Sequence, residues 1–284
     1  MSGAFYQARY SLKRRSPMTA PSPPSTSECT LTILMPVRNE GLNLQIMLRM
    51  LRGLLDVQHE VLVVHDTLAD NSISVVEELA ETLPVRTVHN TYGRGVVNAI
   101  RSGVEAATGQ YILVFAADEV GPVLAIEDML ALMDEGCDFV SCTRYAYGGR
   151  RLGGSIVGGV LSRTANKLFR WMAGSVFTDC TIGIKMFRRT QFNELAASPS
   201  VGWSVAFEMA IKAQLMGLVL GEVPIISIDR LYGGESTFRV APWTVAYLRW
   251  FVWGLLELRM STASTSDIII RIPKSTPTTE SPPR

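Results

Sequence analysis

The chain has 284 residues, 47% of them hydrophobic and 19% charged, and a formal net charge of +1. The length suits one large domain or one domain with extensions, the composition suits an α/β core with a generous apolar fraction, and the small net charge excludes a global attraction to nucleic acid. Its four cysteines, Cys29, Cys137, Cys142 and Cys180, have no CxxC or other metal spacing and read as reduced thiols of a cytosolic protein.

Residues 1–28 include SLKRRSPMTAPSPPSTSE, basic and then rich in Pro and Ser, with no apolar stretch of a secretory signal, and are expected to form a flexible arm. A regular alternation begins at residue 30. TLTILMPV (30–37) reads as a strand, 42–55 as a helix, EVLVVHD (60–66) as a strand and 72–82 as a helix. VRTVHN (85–90), a helix over 94–107 and the strand YILVFAAD (111–118) follow. Pro122 favours the first turn of a helix running to about 135, and DFVSCTRY (138–145) closes the series. Strands alternating with helices imply βαβ units with right-handed crossovers and a doubly wound, mostly parallel sheet in a single domain over 29–240.

Beyond Gly153 the pattern gives a long helix over 155–173, a short strand IKMFRR (184–189), a helix over 203–216 and a strand VLGEVPIISI (219–228) interrupted by Pro224. This second half is expected to supply the other wall of a cleft. No run reaches the roughly 18–20 apolar residues that cross a bilayer as a helix. WTVAYLRWFVWGLLELR (243–259), within a C-terminal amphipathic helix over 241–260, is interrupted by Arg249 and closed by Glu257 and Arg259. It suits a helix lying in the membrane interface, or one docked on the core, on a second copy or on a membrane-protein partner. Residues 261–284, ending in PKSTPTTESPPR, read as a flexible tail.

Two buried-strand runs end in an acid, Asp66 and Asp118. Ligands of parallel sheets gather beyond the carboxyl ends of the strands, where a carboxylate meets a cation, a sugar hydroxyl or an arginine. PVRNE (36–40) places Pro36, Asn39 and Glu40 directly after the first strand, where a capped turn is the plain reading. In HDTLADNS (65–72), Asp70, Asn71 and Ser72 are good caps for the helix that follows, while Asp66 can accept hydrogen bonds from a base or ribose. YGRGVVNAIRSG (92–103) sets two glycines and Arg94 at a helix start, a geometry open to an anion. RYAYGGRR (144–151) and LSRTANKLFR (161–170) bring five arginines and a lysine toward the cleft, as a solvated face or as a phosphate-binding stripe. Glu208, inside the apolar FEMAIKA (207–213), is either partnered or catalytic.

Taken in order, these segments resemble family-2 glycosyltransferases, and among them those that act on polyprenyl phosphates. PVRNE looks like the family's P-x-x-N-E loop, VVHDTLADNS its V-D-D-x-S-x-D-x-T segment, and GRGVVNAIRSGVEAATGQYILVFAAD the run ending in D-A-D. CTRYAYGG, LSRTANKL, DCTIGIKMFRR, EVPI and DR…GES match later elements in register, over roughly residues 30–240. The resemblance implies a GT-A type, Rossmann-like fold and an inverting transfer of a hexose, mannose-like, from a nucleotide sugar to a polyprenyl phosphate at the cytoplasmic membrane face. It puts the nucleoside by Pro36, Asn39, Glu40, Asp66, Asp70 and Arg94, a weakly held Mg²⁺ or Mn²⁺ on Asp118, and the donor or lipid phosphates by Arg144, Arg163 and Arg230. Three positions depart from the pattern: His65 and Ala116 stand where acids are usual, and Thr237 where a lysine is usual. A saccharide acceptor, or a nucleotide-sugar-binding protein without catalysis, are the alternatives.

Overall fold

The computed structural model describes residues 30–153, 156–196, 201–228, 240–261, 268 and 270–274. In chain order the elements are β1 (Leu31–Pro36), α1 (Gly41–Leu54), β2 (His59–His65), α2 (Ser72–Leu79), β3 (Val85–His89), α3 (Val96–Ala106), β4 (Tyr111–Val114), α4 (Ile126–Asp134) and β5 (Phe139–Thr143). There follow β6 (Arg150–Leu152), α5 (Ile156–Ala173), β7 (Lys185–Arg188), α6 (Phe192–Leu195), α7 (Ser204–Leu215), β8 (Leu220–Pro224), β9 (Ile226–Ile228), α8 (Val240–Met260) and β10 (Ile270–Arg271).

Eight strands make one sheet in the order β10-β8-β5-β7-β4-β1-β2-β3. β7 runs antiparallel to both neighbours and the other pairs are parallel. Apolar side chains leave both faces of each central strand, so two cores form. Leu31, Ile33 and Met35 of β1 pack under α1, α2 and α4, through Leu44, Met47, Val76 and Met129. Leu34 of β1, with Ile112 and Phe187, packs under α3, α5, α7 and α8, through Ile100, Phe169, Ile211 and Trp250. Each such fully buried side chain contributes about 2 kcal/mol. The result is a three-layer α/β/α domain of the GT-A type.

After β3 the chain passes to the other side of β1 to form β4, so the crevice between β1 and β4 is the topological switch point, where ligands of such sheets bind. α8 docks on α7 and α5 along Trp250, Gly254 and Leu258. A Cβ on Gly254 would come within 2.5 Å of Ile211 Cδ1 and 2.9 Å of Phe169 Cζ, so only glycine lets the helices approach this closely. Its other side leaves Val245, Leu248, Val252 and Leu256 exposed. Among the described residues no helix is long and apolar enough to cross a membrane.

Several expectations need correction. The run YILVFAAD is a strand only to Val114, so Asp118 sits in the loop beyond it rather than at its end. The helix expected from Pro122 begins as a 3-10 turn, Gly121–Ala125, before α4. Pro224 does more than interrupt a strand: Ile226–Ile228 leave the main sheet and pair with Arg150–Leu152 as a separate two-stranded sheet. Ile270–Arg271, in the segment expected to be a flexible tail, pair with Leu220–Gly221 at the sheet edge because Ile268 and Ile270 pack against the second core.

Candidate active site

The loops after β1 and β2 are built as one piece. Asn39 adopts a left-handed conformation (φ 57°), which asparagine tolerates, and turns the backbone N–H groups at the start of α1 toward the neighbouring loop. Asn39 N–H donates to Asp70 Oδ2 (3.0 Å), Glu40 N–H to Ser72 Oγ (3.1 Å) and Gly41 N–H to Asn71 Oδ1 (2.9 Å). Asp70 Oδ1 also receives Ser72 N–H at 2.9 Å. Asp70, Asn71 and Ser72 were expected to cap their own helix; the three side chains instead satisfy the first donors of α1, and only Asp70 serves α2 as well. Glu40 does not cap α1 either; its carboxylate receives Asn43 Nδ2 at 2.8 Å.

Asp66 leaves the end of β2 and organises the glycine loop. Its Oδ1 accepts from Asn90 Nδ2 (2.7 Å) and its Oδ2 from Gly95 N–H (3.3 Å). Asn90 also bonds Gly93 O, Tyr92 N–H and Ser102 Oγ, and is buried. Gly93 and Gly95 have φ of 88° and 137°, open to glycine and strained for other residues. The anion that meets the backbone at the start of α3 is therefore the Asp66 carboxylate, while Arg94 stands exposed beside it. His65, where the resemblance has an acid, is buried with Nδ1 3.0 Å from Thr67 O and its ring 5.3 Å from that of His89.

Across the switch point, Asp118 and Glu119 are half-buried in the loop after β4. Arg144, at the end of β5, is locked by Asp179: Nε donates to Oδ2 at 2.7 Å and Nη2 to Oδ1 at 3.1 Å. Asn166 of α5 and Thr181 complete the carboxylate's shell at 3.3 and 3.0 Å. Burial works against the charge on Asp179, but Arg144 and these bonds hold its carboxyl below the usual range. Burial likewise opposes the charge on Arg144, and Asp179, with a smaller contribution from Glu119, keeps it firmly protonated. Among the described residues Nη1 of Arg144 has no hydrogen-bond partner, so one edge of the guanidinium is left for an anion. Ser162 ties α5 to this cluster through Tyr145 OH (2.9 Å) and Thr181 Oγ1 (3.1 Å). Arg163, the next residue, is exposed, as are Lys167 and Arg170 along the helix. Arg230 lies outside the described residues, as does Thr237.

The fold thus brings Pro36, Asn39, Glu40 and Asp70 together, Asp66 beside Arg94, and Asp118 and Glu119 on the same rim as Arg144. Glu208 is separate: it is buried and ion-paired with Lys212 one turn along α7. Asn90 escaped the sequence reading, although a polar residue closing a strand was the same signal that marked Asp66. Asn166, Lys185 and Glu222 also stood in noted motifs without being singled out. Among the described residues no group of three His, Cys, Asp or Glu side chains forms a metal cage. Asp118, with Ala116 two residues before it, offers one carboxylate, and one or two carboxylates are what a hard cation such as Mg²⁺ commonly takes from a protein.

A doubly wound sheet with acidic loops on both sides of its switch point and an arginine cluster on the same rim defines a GT-A type protein. The chain belongs to glycosyl transferase family 2, whose profile matches residues 32–196, and it is a glycosyltransferase. It is 28% identical over 236 residues to a polyprenol monophosphomannose synthase of Mycolicibacterium smegmatis, covering 75% of this chain and 86% of that one. It is 24% identical to a dolichol-phosphate mannosyltransferase of Pyrococcus furiosus, covering 78% of this chain and 64% of that longer one. Glucosyl-3-phosphoglycerate synthase of Mycobacterium tuberculosis, solved with Mn²⁺, UDP and glucosyl-3-phosphoglycerate, shares the fold at TM-score 0.59 and 17% identity, over 81% of this chain and 79% of that one.

Proposed function

We propose that the protein transfers a hexose, mannose-like, from a nucleotide sugar to a polyprenyl phosphate at the cytoplasmic face of a membrane. The observation that carries this reading is the Arg144–Asp179 clamp, which fixes a guanidinium with a free edge on the rim that also bears Asp118. The two mannosyl-transferring relatives support the choice of sugar and acceptor.

In this reading the nucleoside sits against the joined loops of Pro36, Asn39, Glu40 and Asp70, with Asp66 holding the Gly93–Gly95 turn and Arg94 at its mouth. Asp118 would hold the Mg²⁺ or Mn²⁺, which when bound supplies Lewis-acid stabilisation of the departing diphosphate. The acceptor phosphate is already anionic at neutral pH, so it needs orientation rather than a base. Arg144, Arg163 and Arg230 would align one of its oxygens behind the anomeric carbon, so that the new bond forms opposite the breaking one and configuration inverts. Arginine suits this task because its planar fork meets phosphate oxygens two at a time.

The lipid acceptor also fits the outer face of α5 and α8. Ile156, Val160 and Trp171 of α5 and Val245, Leu248 and Val252 of α8 are exposed, with Arg163, Lys167, Arg170 and Arg249 exposed on the same two helices. Apolar residues mixed with cations suit the headgroup boundary of an anionic bilayer. The test is transfer of radiolabelled sugar from GDP-, UDP- and dTDP-sugars into polyprenyl phosphate with Mg²⁺ or Mn²⁺. Label in the lipid phase is the expected result. If none of the three donors labels the lipid while one labels a saccharide, the acceptor assignment is wrong.

A further inference from the structure

Three buried side chains stand side by side across the sheet beneath the Arg144–Asp179 clamp. In register, Ser141 of β5 faces Lys185 of β7 on one side and Glu222 of β8 on the other, and all three are 0% exposed. An acid and a base buried in a sheet interior are costly, and apolar residues of the same size commonly serve stability as well or better. What they touch is the turn that carries Asp179. Glu222 accepts from Thr178 N–H (2.9 Å), Thr178 Oγ1 (2.9 Å) and Asp179 N–H (3.2 Å). Lys185 Nζ donates to Ser141 Oγ (2.6 Å) and to Cys180 O (3.5 Å). The donors of the turn thus meet the acid and its acceptor meets the base, so the turn is held in one orientation.

We propose that the Lys185–Ser141–Glu222 row is a positioning platform: it sets the 178–180 turn, the turn aims Asp179, and Asp179 aims Arg144 at the acceptor phosphate. This rests on the reading of Arg144 as a phosphate ligand. Glu222 and Lys185 touch neither donor nor acceptor and act through the turn. Asp179, Lys185 and Thr178 face Glu222, with Cys142, Cys180 and Tyr147 near enough to share its field. Burial pushes the Glu222 carboxyl up to about 7, against the bonds from Thr178 and Asp179. Protonation turns an acceptor of the turn into a donor, so an acid limb near neutrality follows from the same contacts.

The test uses the full chain with Glu222→Gln, Thr178→Val and Arg144→Gln, a labelled nucleotide sugar and a polyprenyl phosphate in detergent. Glu222→Gln is expected to lower kcat/KM for the acceptor ten- to a hundredfold, to leave the donor KM within twofold and to abolish the acid limb near pH 7. Added to Arg144→Gln it lowers the rate little further. Amide exchange over 176–182 speeds up in the same variant. If Arg144→Gln disables transfer while folded Glu222→Gln retains full kcat/KM and the acid limb, the platform is refuted and the proposed function stands. If Glu222→Gln disables transfer and Arg144→Gln does not, the route through Arg144 is refuted. Should Glu222→Gln not fold, Thr178→Val removes one of the three bonds, and no loss in acceptor kcat/KM there overturns the proposal. Should the wild type label no polyprenyl phosphate, the proposed function fails, and the exchange of 176–182 decides the platform: unchanged protection in Glu222→Gln overturns it.

Discussion

Replacing Asp179 by asparagine alters one atom and removes one charge from a side chain that is 0% exposed. The carboxylate receives Arg144 Nε, Nη2 and N–H at 2.7, 3.1 and 3.3 Å, Asn166 Nδ2 at 3.3 Å, and Thr181 Oγ1 and N–H at 3.0 and 3.3 Å. An amide turns one acceptor into a donor that faces other donors, and it leaves the Arg144 guanidinium uncompensated in a largely dry site. Removing one partner of a buried pair costs about 3–5 kcal/mol. For a chain of this size that corresponds to a Tm lower by roughly 6–12 °C. Urea and thermal unfolding of Asp179→Asn at pH 7.5 measure it. The double variant Arg144→Met, Asp179→Leu, which removes both charges, is expected to be more stable than Asp179→Asn alone. The depressed carboxyl of Asp179 contributes stability that is complete above the ordinary carboxylate range of about 4 and is lost as pH falls through its lower native value. Asp179→Asn therefore also flattens the acid end of the stability profile. A loss under 1 kcal/mol, or a double variant less stable than the single one, refutes the argument that the pair is coupled and buried.

Asp70→Ala removes charge-assisted bonds to Asn39 N–H and Ser72 N–H, each of the class that contributes about 1.5–3 kcal/mol, and is expected to cost about 3 kcal/mol in urea unfolding and at least tenfold in nucleotide affinity by calorimetry. Asp118→Ala is expected to abolish the tightening of nucleoside diphosphate binding by Mn²⁺ and to reduce transfer at least a hundredfold; surviving activity would show that the cation, if used, is held elsewhere. Glu222, raised to about 7 by burial, favours the folded state fully below the ordinary carboxyl value near 4.5, and this contribution disappears as pH rises through 7. Measured by chemical unfolding between pH 4.5 and 8, Glu222→Gln should lack this decline of about 3 kcal/mol, and parallel profiles for the two proteins would contradict it.

The doubly wound sheet was legible because β1, β2 and β4 are continuous apolar runs separated by helical periods, a pattern that needs no tertiary information. The acids at Asp66 and Asp118 were legible as polar residues closing such runs. Their partners were not, since a contact such as Asp66 with Gly95, or Arg144 with Asp179, depends on which strands become neighbours. The cap swap was illegible for the same reason: Asp70, Asn71 and Ser72 are good caps by residue type, and only the adjacency of β1 and β2 puts a different helix start within their reach. β6, β9 and β10 were missed as strands of their own because each has only two or three residues and its existence depends on a distant partner. Glu222 and Lys185 sit in strands that read as apolar and were passed over, although buried charges in such runs are rare enough to ask for a reason.

The reversed strand β7 also bears on how the site comes into being during folding. Because β7 runs against its neighbours, the residues leading into it arrive at the rim from which the other strands depart, and they meet partners 35 and 44 positions away in the chain. Such distant closures come after local helix and βαβ contacts. Asn39 and Asp70 follow the two strands of one contiguous β1-α1-β2 unit and can meet while the later strands are still unpaired. Pulse-labelled exchange would then protect Val61 to Val64 before Thr178 and Asp179, and simultaneous protection would mean that the domain closes in one step.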